Sequence, residues 1–257
     1  MLTLATFNIN GIKARLPRLL EYLDDAAPDV VCLQEIKSID DSFPRLEFES
    51  LGYQVETHGQ KSFNGVAILS KRPLENIMRG LPGDDADEQA RFICAEVDGI
   101  YVAGLYLPNG NPAPGPKYDY KLAWMERLHR FAEAKLTEEK PLVFTGDFNV
   151  IPQPEDAYDA SVWTDDALFR PETRKAFRRF EYLGFTDAIR TVQPTGQAFT
   201  FWDYQRGAWQ KDDGIRIDHV MMSPLAADRL VDAGVDRKPR GKDKASDHTP
   251  VWATFSV

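Results

Sequence analysis

The chain has 257 residues, 43% of them hydrophobic, which is enough for one large domain with a substantial core. Its formal net charge of −9 argues against a simple cationic nucleic-acid binder. The charge is uneven, however, because residues 170–257 carry 15 Lys and Arg against 12 Asp and Glu. No Gly/Ser-rich linker divides the sequence, so we expect a single domain over residues 1–257.

Two features bear on where the protein works. No stretch reaches the roughly 20 apolar residues of a membrane helix, and the N-terminus reads as a strand rather than a targeting segment. Cys32 and Cys94 both lie in apolar runs, which is typical of buried free thiols in a reducing compartment. We therefore predict a cytoplasmic protein without a membrane partner.

The periodicity of apolar residues predicts at least seven strands and a few helices, not in strict alternation. This pattern favours an α+β fold or a sandwich of two sheets flanked by helices. The predicted strands cover residues 2–7, 29–33, 65–69, 91–97, 100–107, 142–144, 215–222 and 251–257. The predicted helices cover residues 15–25, 44–51, 118–136 and 172–183.

Polar side chains recur where these predicted strands end. One such coincidence means little, but six in one chain suggest that the strand ends converge on a site. The positions concerned are Asn8, Glu35, Tyr106 with Asn109, Asp147 with Asn149, Asp218, and Asp247 with His248.

The stretch Pro141–Val150 is the centre of this pattern. Its apolar run ends in Gly146, Asp147, Phe148 and Asn149. On an extended backbone, positions two apart share a face, so Asp147 and Asn149 project together while Phe148 packs behind them. A carboxylate beside an amide is suited to holding and deprotonating a water molecule. A plain turn is an equally good interpretation of this stretch alone, since Gly, Asp and Asn are turn formers.

A metal site is the second prediction. Glu35 follows a buried strand and is expected near Asn8 and Asp247. Carboxylate and amide oxygens with few histidines suit a hard cation, Mg²⁺ or Mn²⁺. Taken alone, Glu35 is more simply interpreted as a solvated acid just past a strand.

His248 is the best candidate for an acid–base or phosphate-contacting imidazole, with Asp218 to orient it. Tyr106 and Asn109 can donate hydrogen bonds to a phosphate, although packing and a turn explain them equally well. The remaining candidates have simpler readings as well. Phe201 and Trp202 are core residues or stacking platforms, and Arg174 and Arg178 lie on a basic helix that is either a solvated face or a contact to a DNA backbone.

An ordered set of motifs resembles the exonuclease III type of apurinic/apyrimidinic endonuclease, within the endonuclease/exonuclease/phosphatase superfamily. Single motifs are weak, but the ordered set runs from Leu2 to Phe255. The matching segments are residues 8–11 (Asn-Ile-Asn-Gly), 33–35 (Leu-Gln-Glu), 58–61 (His-Gly-Gln-Lys), 65–67 (Gly-Val-Ala), 146–149 (Gly-Asp-Phe-Asn), 201–202 (Phe-Trp), 216–218 (Arg-Ile-Asp) and 246–248 (Ser-Asp-His).

The resemblance implies a four-layer αββα sandwich, in which two packed mixed sheets are flanked by helices. It also implies a monomeric enzyme that hydrolyses phosphodiesters of double-stranded DNA with Mg²⁺ or Mn²⁺. Activities of the family are incision 5′ to abasic sites, 3′→5′ exonuclease and removal of 3′ blocking groups.

The resemblance also assigns roles to matching positions. Glu35 is the implied metal ligand, with Asn8, Asn10 and Asp247 nearby. Around the scissile phosphate, Asp147 activates water, Asn149 helps to hold it, and His248, supported by Asp218, binds the phosphate together with Tyr106 and Asn109. The implied pocket for a flipped-out abasic sugar is bordered by Phe201, Trp202 and Ile215.

Three alternatives compete with this hypothesis. An enzyme of the superfamily that acts on inositol phosphates or lipid head groups is disfavoured by residues 201–202 and 216–218. A catalytically weak nucleic-acid-binding regulator should have lost Glu35, Asp147 or His248, all of which are present. A secreted non-specific nuclease of the DNase I type should have a signal sequence and a disulfide pair.

Overall fold

The computed structural model describes all 257 residues and contains two six-stranded sheets. The strands of the first sheet are β1 (Leu2–Asn8), β2 (Val30–Gln34), β3 (Gln54–His58), β4 (Val66–Ser70), β11 (Leu230–Val235) and β12 (Val251–Phe255). Those of the second sheet are β5 (Glu75–Arg79), β6 (Phe92–Val97), β7 (Ile100–Tyr106), β8 (Leu142–Asp147), β9 (Thr186–Asp187) and β10 (Asp218–Met222). The strand orders are β11-β12-β1-β2-β4-β3 and β5-β6-β7-β8-β10-β9.

Seven α-helices accompany the sheets. They are α1 (Ile12–Ala26), α2 (Arg45–Glu49), α3 (Pro116–Leu136), α4 (Pro171–Tyr182), α5 (Ala188–Val192), α6 (Ala208–Lys211) and α7 (Pro224–Ala227). Short 3₁₀ turns cover Asp40–Ser42, Pro154–Asp156, Ala160–Trp163 and Pro239–Gly241. None of these helices combines the length and the apolarity that crossing a membrane requires.

The core is divided into layers. Apolar residues of both sheets, such as Leu4, Cys32 and Val102, form one buried cluster between the sheets. A second cluster joins α3 and α4 to the outer face of the second sheet, and a third joins α1 to the outer face of the first. The order helix, sheet, sheet, helix confirms the predicted αββα sandwich.

Two parallel strand pairs place the polar strand ends. β1 pairs with β2 and β7 pairs with β8, and α1 and α3 provide the long crossovers that parallel neighbours need. In the register of these pairs, Asn8 lies beside Gln34 and Tyr106 beside Asp147. The carboxyl ends of both pairs therefore carry the predicted site residues.

Several predicted boundaries were wrong. Helix α1 begins at Ile12 rather than residue 15 and keeps Pro17 inside it. The strand predicted from residue 215 begins at Asp218, because Ile215 forms only isolated bridges to Ala157 and Phe201. The polar strands β3, β5 and β11 were not predicted, since they lie in the outer part of each sheet and lack a clear apolar pattern.

Candidate active site

The site forms where the two sheets meet, at the ends of β1, β2, β7 and β8. Asp218, at the start of the antiparallel strand β10, lies directly beside Asp147 in the sheet register. Phe148 is fully buried behind Asp147, against Phe177 and His219, as the alternation of side chains predicted.

Two carboxylates face each other across this junction, and one amide joins them. The Asn8 side chain donates to Glu35 Oε1 at 3.0 Å and to Asp147 Oδ2 at 2.9 Å. Its oxygen is turned away and accepts from the backbone N–H of Asn10. Asn8 is therefore oriented as a donor that spaces the carboxylates, which differs from its predicted place among the groups around a metal.

The backbone at this junction is strained at three site residues. Asn10, Glu35 and Asn149 have φ values of 47°, 50° and 48°, in the left-handed region. Asn tolerates this region, whereas Glu adopts it rarely. Hydrogen bonds from Gly11 N to Glu35 O and from Ile36 N to Gly65 O hold the turn in place. Such strain is concentrated at functional sites.

One group of side chains has the spacing of a metal site. Ligand atoms of Glu35, Asp147 and His248 lie within 4.8 Å of one another. Asp247, a predicted neighbour of the metal, is not in this group and instead accepts from Asn10 Nδ2 at 3.0 Å. Asp147, in contrast, belongs to this group of possible metal ligands. The sequence had predicted for it only the role of activating water.

The donor set fits a hard divalent cation. Two carboxylates and no cysteine are the chemistry that Mg²⁺ or Mn²⁺ prefers. His248 is the less suitable member, since a protonated imidazole has no free lone pair for a metal. The ligands that the structure offers are accordingly Glu35 and Asp147.

A lysine missed by sequence reasoning lies on the carboxylate of Glu35. Lys37 Nζ is 2.9 Å from Glu35 Oε2 and 2.6 Å from Asn10 Oδ1. Burial raises the pKa of Glu35, but the hydrogen bonds from Asn8 and Lys37 outweigh burial and lower it overall. Glu35 is thus an anion at neutral pH. The spacing of two residues after Glu35 was the only signal available in the sequence.

The predicted pair of Asp218 and His248 is present. His248 Nδ1 donates to Asp218 Oδ2 at 2.8 Å, and the hydroxyl of Thr200 donates to the same oxygen at 2.6 Å. Burial lowers the pKa of His248, but Asp218 and Asp147 outweigh it and raise that pKa to about 10. His248 is therefore an imidazolium at neutral pH. Thr200 was not predicted because a lone threonine in an aromatic run carries no signal.

Asp147 has the properties of a base. Burial, followed by repulsion from Asp218 and Glu35, raises its pKa to about 7 although His248 acts in the opposite direction. Its Oδ2 lies 3.7 Å from His248 Nε2, and its Oδ1 accepts from Asn149 N at 2.9 Å. A carboxyl whose pKa is near neutral can exchange a proton at that pH.

The predicted phosphate donors lie on the second sheet's side of the site. Asn149 donates to the carbonyl oxygen of Leu107 at 2.9 Å and accepts from Asn109 Nδ2 at 3.2 Å. Burial, followed by the charges of Glu35 and Asp147, raises the pKa of Tyr106 well above its usual range. Tyr106 is therefore a neutral phenol that is able to donate a hydrogen bond.

The predicted substrate-binding residues separate into three groups. Phe201 lies with its ring centroid 5.0 Å from that of His248, and with Ile215 it lines a cavity of ≈ 280 Å³ that also contacts Tyr158 and Trp163. Trp202 does not line this cavity. It is fully buried against Phe199 and Trp209, and its place at the border of a sugar pocket stays a prediction.

The basic helix α4 forms the third group. Arg174 donates to the carbonyl oxygen of Pro152 at 3.0 Å and stacks 4.6 Å from the Phe169 ring. Arg178 is half-buried on the same helix. Neither arginine makes a hydrogen bond to Glu35, Asp147 or His248. The predicted contact of both arginines to a DNA backbone stays a prediction.

Comparison with known proteins agrees with this architecture. Residues 5–248 match the model of the Endonuclease/Exonuclease/phosphatase family, so the chain belongs to that family. It is 36% identical to exodeoxyribonuclease III of Haemophilus influenzae over 97% of this chain and 98% of that protein.

Two solved structures superpose over 100% of both chains. One is an AP endonuclease from Archaeoglobus fulgidus, with a TM-score of 0.96 and 38% identity. The other is the 3′ phosphatase NExo from Neisseria bound to product DNA hairpin, with a TM-score of 0.97 and 36% identity. Both likenesses extend over the whole sandwich, including the strand ends that carry the site.

Proposed function

We propose that this protein is a metal-dependent DNA repair nuclease that hydrolyses the phosphodiester bond 5′ to abasic sites in duplex DNA. The proposal includes 3′→5′ exonuclease activity and the removal of blocking groups from 3′ ends. One observation carries it: the paired carboxylates of Glu35 and Asp147 lie beside the ion pair of Asp218 and His248 in one buried site.

The named relatives support this choice within the family. They include an exodeoxyribonuclease III, an AP endonuclease and a 3′ phosphatase bound to a product DNA hairpin. A phosphoesterase acting on smaller substrates would also use such a site. The cavity beside Phe201 and Ile215 supports DNA as the substrate, because it is large enough for a sugar without a base and offers that sugar both apolar residues and the polar Asp203, Arg206 and Asp213.

Hydrolysis in this site needs a base for the attacking water and a positive group for the phosphate oxygens. Asp147 takes a proton from the attacking water, since burial beside other carboxylates makes it more basic than an exposed aspartate. Asn149, fixed by its bonds to Leu107 and Asn109, orients that water and the phosphate. Water supplies OH to phosphorus and the P–O3′ bond breaks. The leaving oxygen takes a proton from solvent to become a 3′ hydroxyl, and Asp147 returns its proton to solvent.

His248 stabilises the charge that develops on the phosphate. Its imidazolium keeps its proton on Nδ1 against Asp218, which leaves Nε2–H to donate to a phosphate oxygen. Asp218 fixes the orientation of the ring in the same way that an acid orients the histidine of a catalytic triad. Tyr106 and Asn109 add neutral donors, which bind a phosphate without changing the charge of the site.

Glu35 and Asp147 are the residues that would hold a divalent ion, which we propose to be Mg²⁺ or Mn²⁺. When bound, such an ion supplies positive charge at the phosphoryl oxygens and the leaving oxygen. Lys37 and Asn8 keep both carboxylates in place when they are unligated.

Other parts of the proposal rest on sequence alone. We propose that residues 1–257 act as one domain, that the enzyme works as a monomer, and that it works in the cytoplasm. Arg174 and Arg178 are proposed contacts to the DNA backbone, since guanidinium groups bind phosphate with two parallel hydrogen bonds.

A single incision assay tests the proposal. The substrate is a duplex with one internal tetrahydrofuran abasic analogue, labelled at its 5′ end and incubated with Mg²⁺. This analogue cannot undergo β-elimination, so any cut must be hydrolytic. We expect one product that ends just 5′ to the analogue, absent with Asp147→Asn. A ladder from the 3′ end alone would make the enzyme chiefly an exonuclease, and no product with either metal would overturn the proposal.

A further inference from the structure

Lys121 is a buried lysine that the mechanism above does not use. It lies on α3 without exposed surface, and no carboxylate is in contact with it. Its Nζ donates instead to two backbone carbonyl oxygens, that of Asn109 at 3.0 Å and that of Asn149 at 2.5 Å. Burying an amine costs free energy unless its hydrogen bonds are compensated. The two carbonyls are therefore the reason that a lysine can occupy this place.

The two carbonyls belong to the segments that present the phosphate donors. Asn109 follows β7 and Asn149 follows β8, and their side chains are joined by a hydrogen bond of 3.2 Å. Lys121 joins the same two segments through their backbones. Asn109 and Asn149 are thus fixed to each other at two levels, by the side-chain amides and by the ammonium group beneath them.

Gly110 shows that the loop is built around this side chain. A Cβ atom at Gly110 would lie 2.7 Å from Lys121 Cδ and 3.2 Å from Ala167 Cβ. The φ of Gly110 is also +89°, which other residues adopt rarely. The backbone beside Asn109 therefore packs directly on the stem of Lys121, so any displacement of Lys121 reaches Asn109.

Nearby carboxylates partly offset the cost of burying the Lys121 ammonium group. Burial lowers the pKa of the ammonium group to about 7, whereas the carboxylates of Asp147 and Asp166 act in the opposite direction. Asp166 is occupied elsewhere, since its Oδ1 accepts from Asn111 Nδ2 and from the backbone of Leu168.

We propose that Lys121 is a positioning residue that sets the geometry of the Asn109–Asn149 amide pair towards the scissile phosphate. The proposal rests on the proposed function, because it assigns Lys121 to the same reaction. If Lys121 served only to fill the core, an apolar side chain of equal length would serve as well or better.

The test is Lys121→Met, which keeps the length of the side chain and removes the donors. On the abasic-analogue duplex we expect kcat to fall about 10- to 100-fold, because small displacements of catalytic groups have effects of this size. KM should change less than about threefold, since most DNA contacts are untouched. The matched control is Lys117→Met, an exposed lysine one turn earlier on α3, which should leave both constants unchanged.

A double-mutant cycle separates positioning from a structural role. In an Asn149→Ala background, the added Lys121→Met substitution should cause little further loss of kcat, because the group that it positions is gone. A loss that multiplies with that of Asn149→Ala would overturn the proposal, as would Lys121→Met activity within twofold of wild type.

Folding of the variants and activity of the wild type are the remaining controls. If Lys121→Met does not unfold cooperatively, Lys121→Gln is measured in the same cycle, and failure of both variants to fold would assign Lys121 to stability and overturn the proposal. Wild-type enzyme on the same duplex is a separate arm. If it makes no product, the proposed function fails and the role of Lys121 fails with it, whereas an active wild type with an unaffected variant rejects Lys121 alone.

Discussion

Asn8, at the end of β1 in one sheet, donates a 2.9 Å hydrogen bond to Asp147, at the end of β8 in the other. This contact crosses the boundary between the two layers, and the same amide also holds Glu35. The site therefore depends on how the sheets pack against each other, and not only on the strand that carries each residue.

The first prediction concerns the proposed base. Asp147→Asn should reduce incision of the abasic-analogue duplex by roughly 10³-fold or more, because an amide cannot accept the proton of water at neutral pH. The thermal midpoint should change little, since the substitution keeps the shape of the side chain and removes the repulsion from Glu35 and Asp218 together with the attraction of His248. Substantial residual turnover in a single-turnover assay would remove Asp147 from this role.

The second prediction is a histidine that stays charged above neutral pH. Because its pKa is raised to about 10, His248 in the metal-free protein should remain protonated at pH 8, as read from its imidazole ¹⁵N shifts. Asp218→Asn should lower that pKa by about 1–3 units, the usual effect of losing an adjacent opposite charge. An unchanged titration in this variant would show that Asp218 does not hold the charge.

The same shift predicts the pH dependence of stability. The folded pKa of His248 lies above the ordinary histidine value of 6.5, so its interaction with Asp218 and Asp147 stabilises the fold fully below that pH. Its contribution should be lost as pH rises towards 10. Urea titrations at several pH values measure the free energy of unfolding. Between about pH 7 and 10 that free energy should fall less steeply with pH in Asp218→Asn than in wild type.

The third prediction separates two acids near the metal site. Glu35→Gln should weaken Mg²⁺ binding in a calorimetric titration by about 10-fold or more, because it removes one of two charged ligands. Asp247→Asn is the matched comparison and should weaken it much less, since Asp247 contacts Asn10 and lies outside the group of three ligand atoms. Equal losses would restore Asp247 to the metal's ligands.

The fourth prediction concerns the cavity wall. Phe201→Ala should reduce kcat/KM for the abasic-analogue duplex by about 10-fold through lost apolar contact, with a smaller effect on digestion of an undamaged 3′ end. Tyr182→Ala is the control, because Tyr182 is an aromatic residue that is 81% exposed at the end of α4 and does not line the cavity. An equal loss on both substrates would indicate that Phe201 acts through His248, which its ring contacts.

The last prediction is about stability behind the site. Arg216 is 1% exposed and is paired with Asp156 at 2.7 Å and with Asp187. Arg216→Met should lower the free energy of unfolding by about 3–5 kcal/mol, because it removes the guanidinium shared by two buried carboxylates and leaves Asp156 with Arg190 alone as its cationic partner. Chemical denaturation measures this loss, and Arg206→Met, on an exposed loop, should have little effect.

The sequence by itself determined the class of fold and most of the site. Apolar runs indicate the buried strands, and the polar residues next to those runs stand out for that reason. Glu35 and Asp147 come at the ends of strands, whereas Asp218 begins β10 and His248 precedes β12. The parallel arrangement of β1 with β2 and of β7 with β8 then brings such ends to one edge.

Only the tertiary structure decided what these residues contact. Asn8 donates to two carboxylates, and Trp202 is buried in the core. Asp147 belongs to the group of possible metal ligands, whereas Asp247 does not. Lys37, Lys121 and Thr200 entered the site through contacts with residues that lie elsewhere in the sequence or with backbone carbonyls. The physical reason is that local pattern fixes which face of an element is buried, whereas the direction of a hydrogen bond depends on which other element lies opposite.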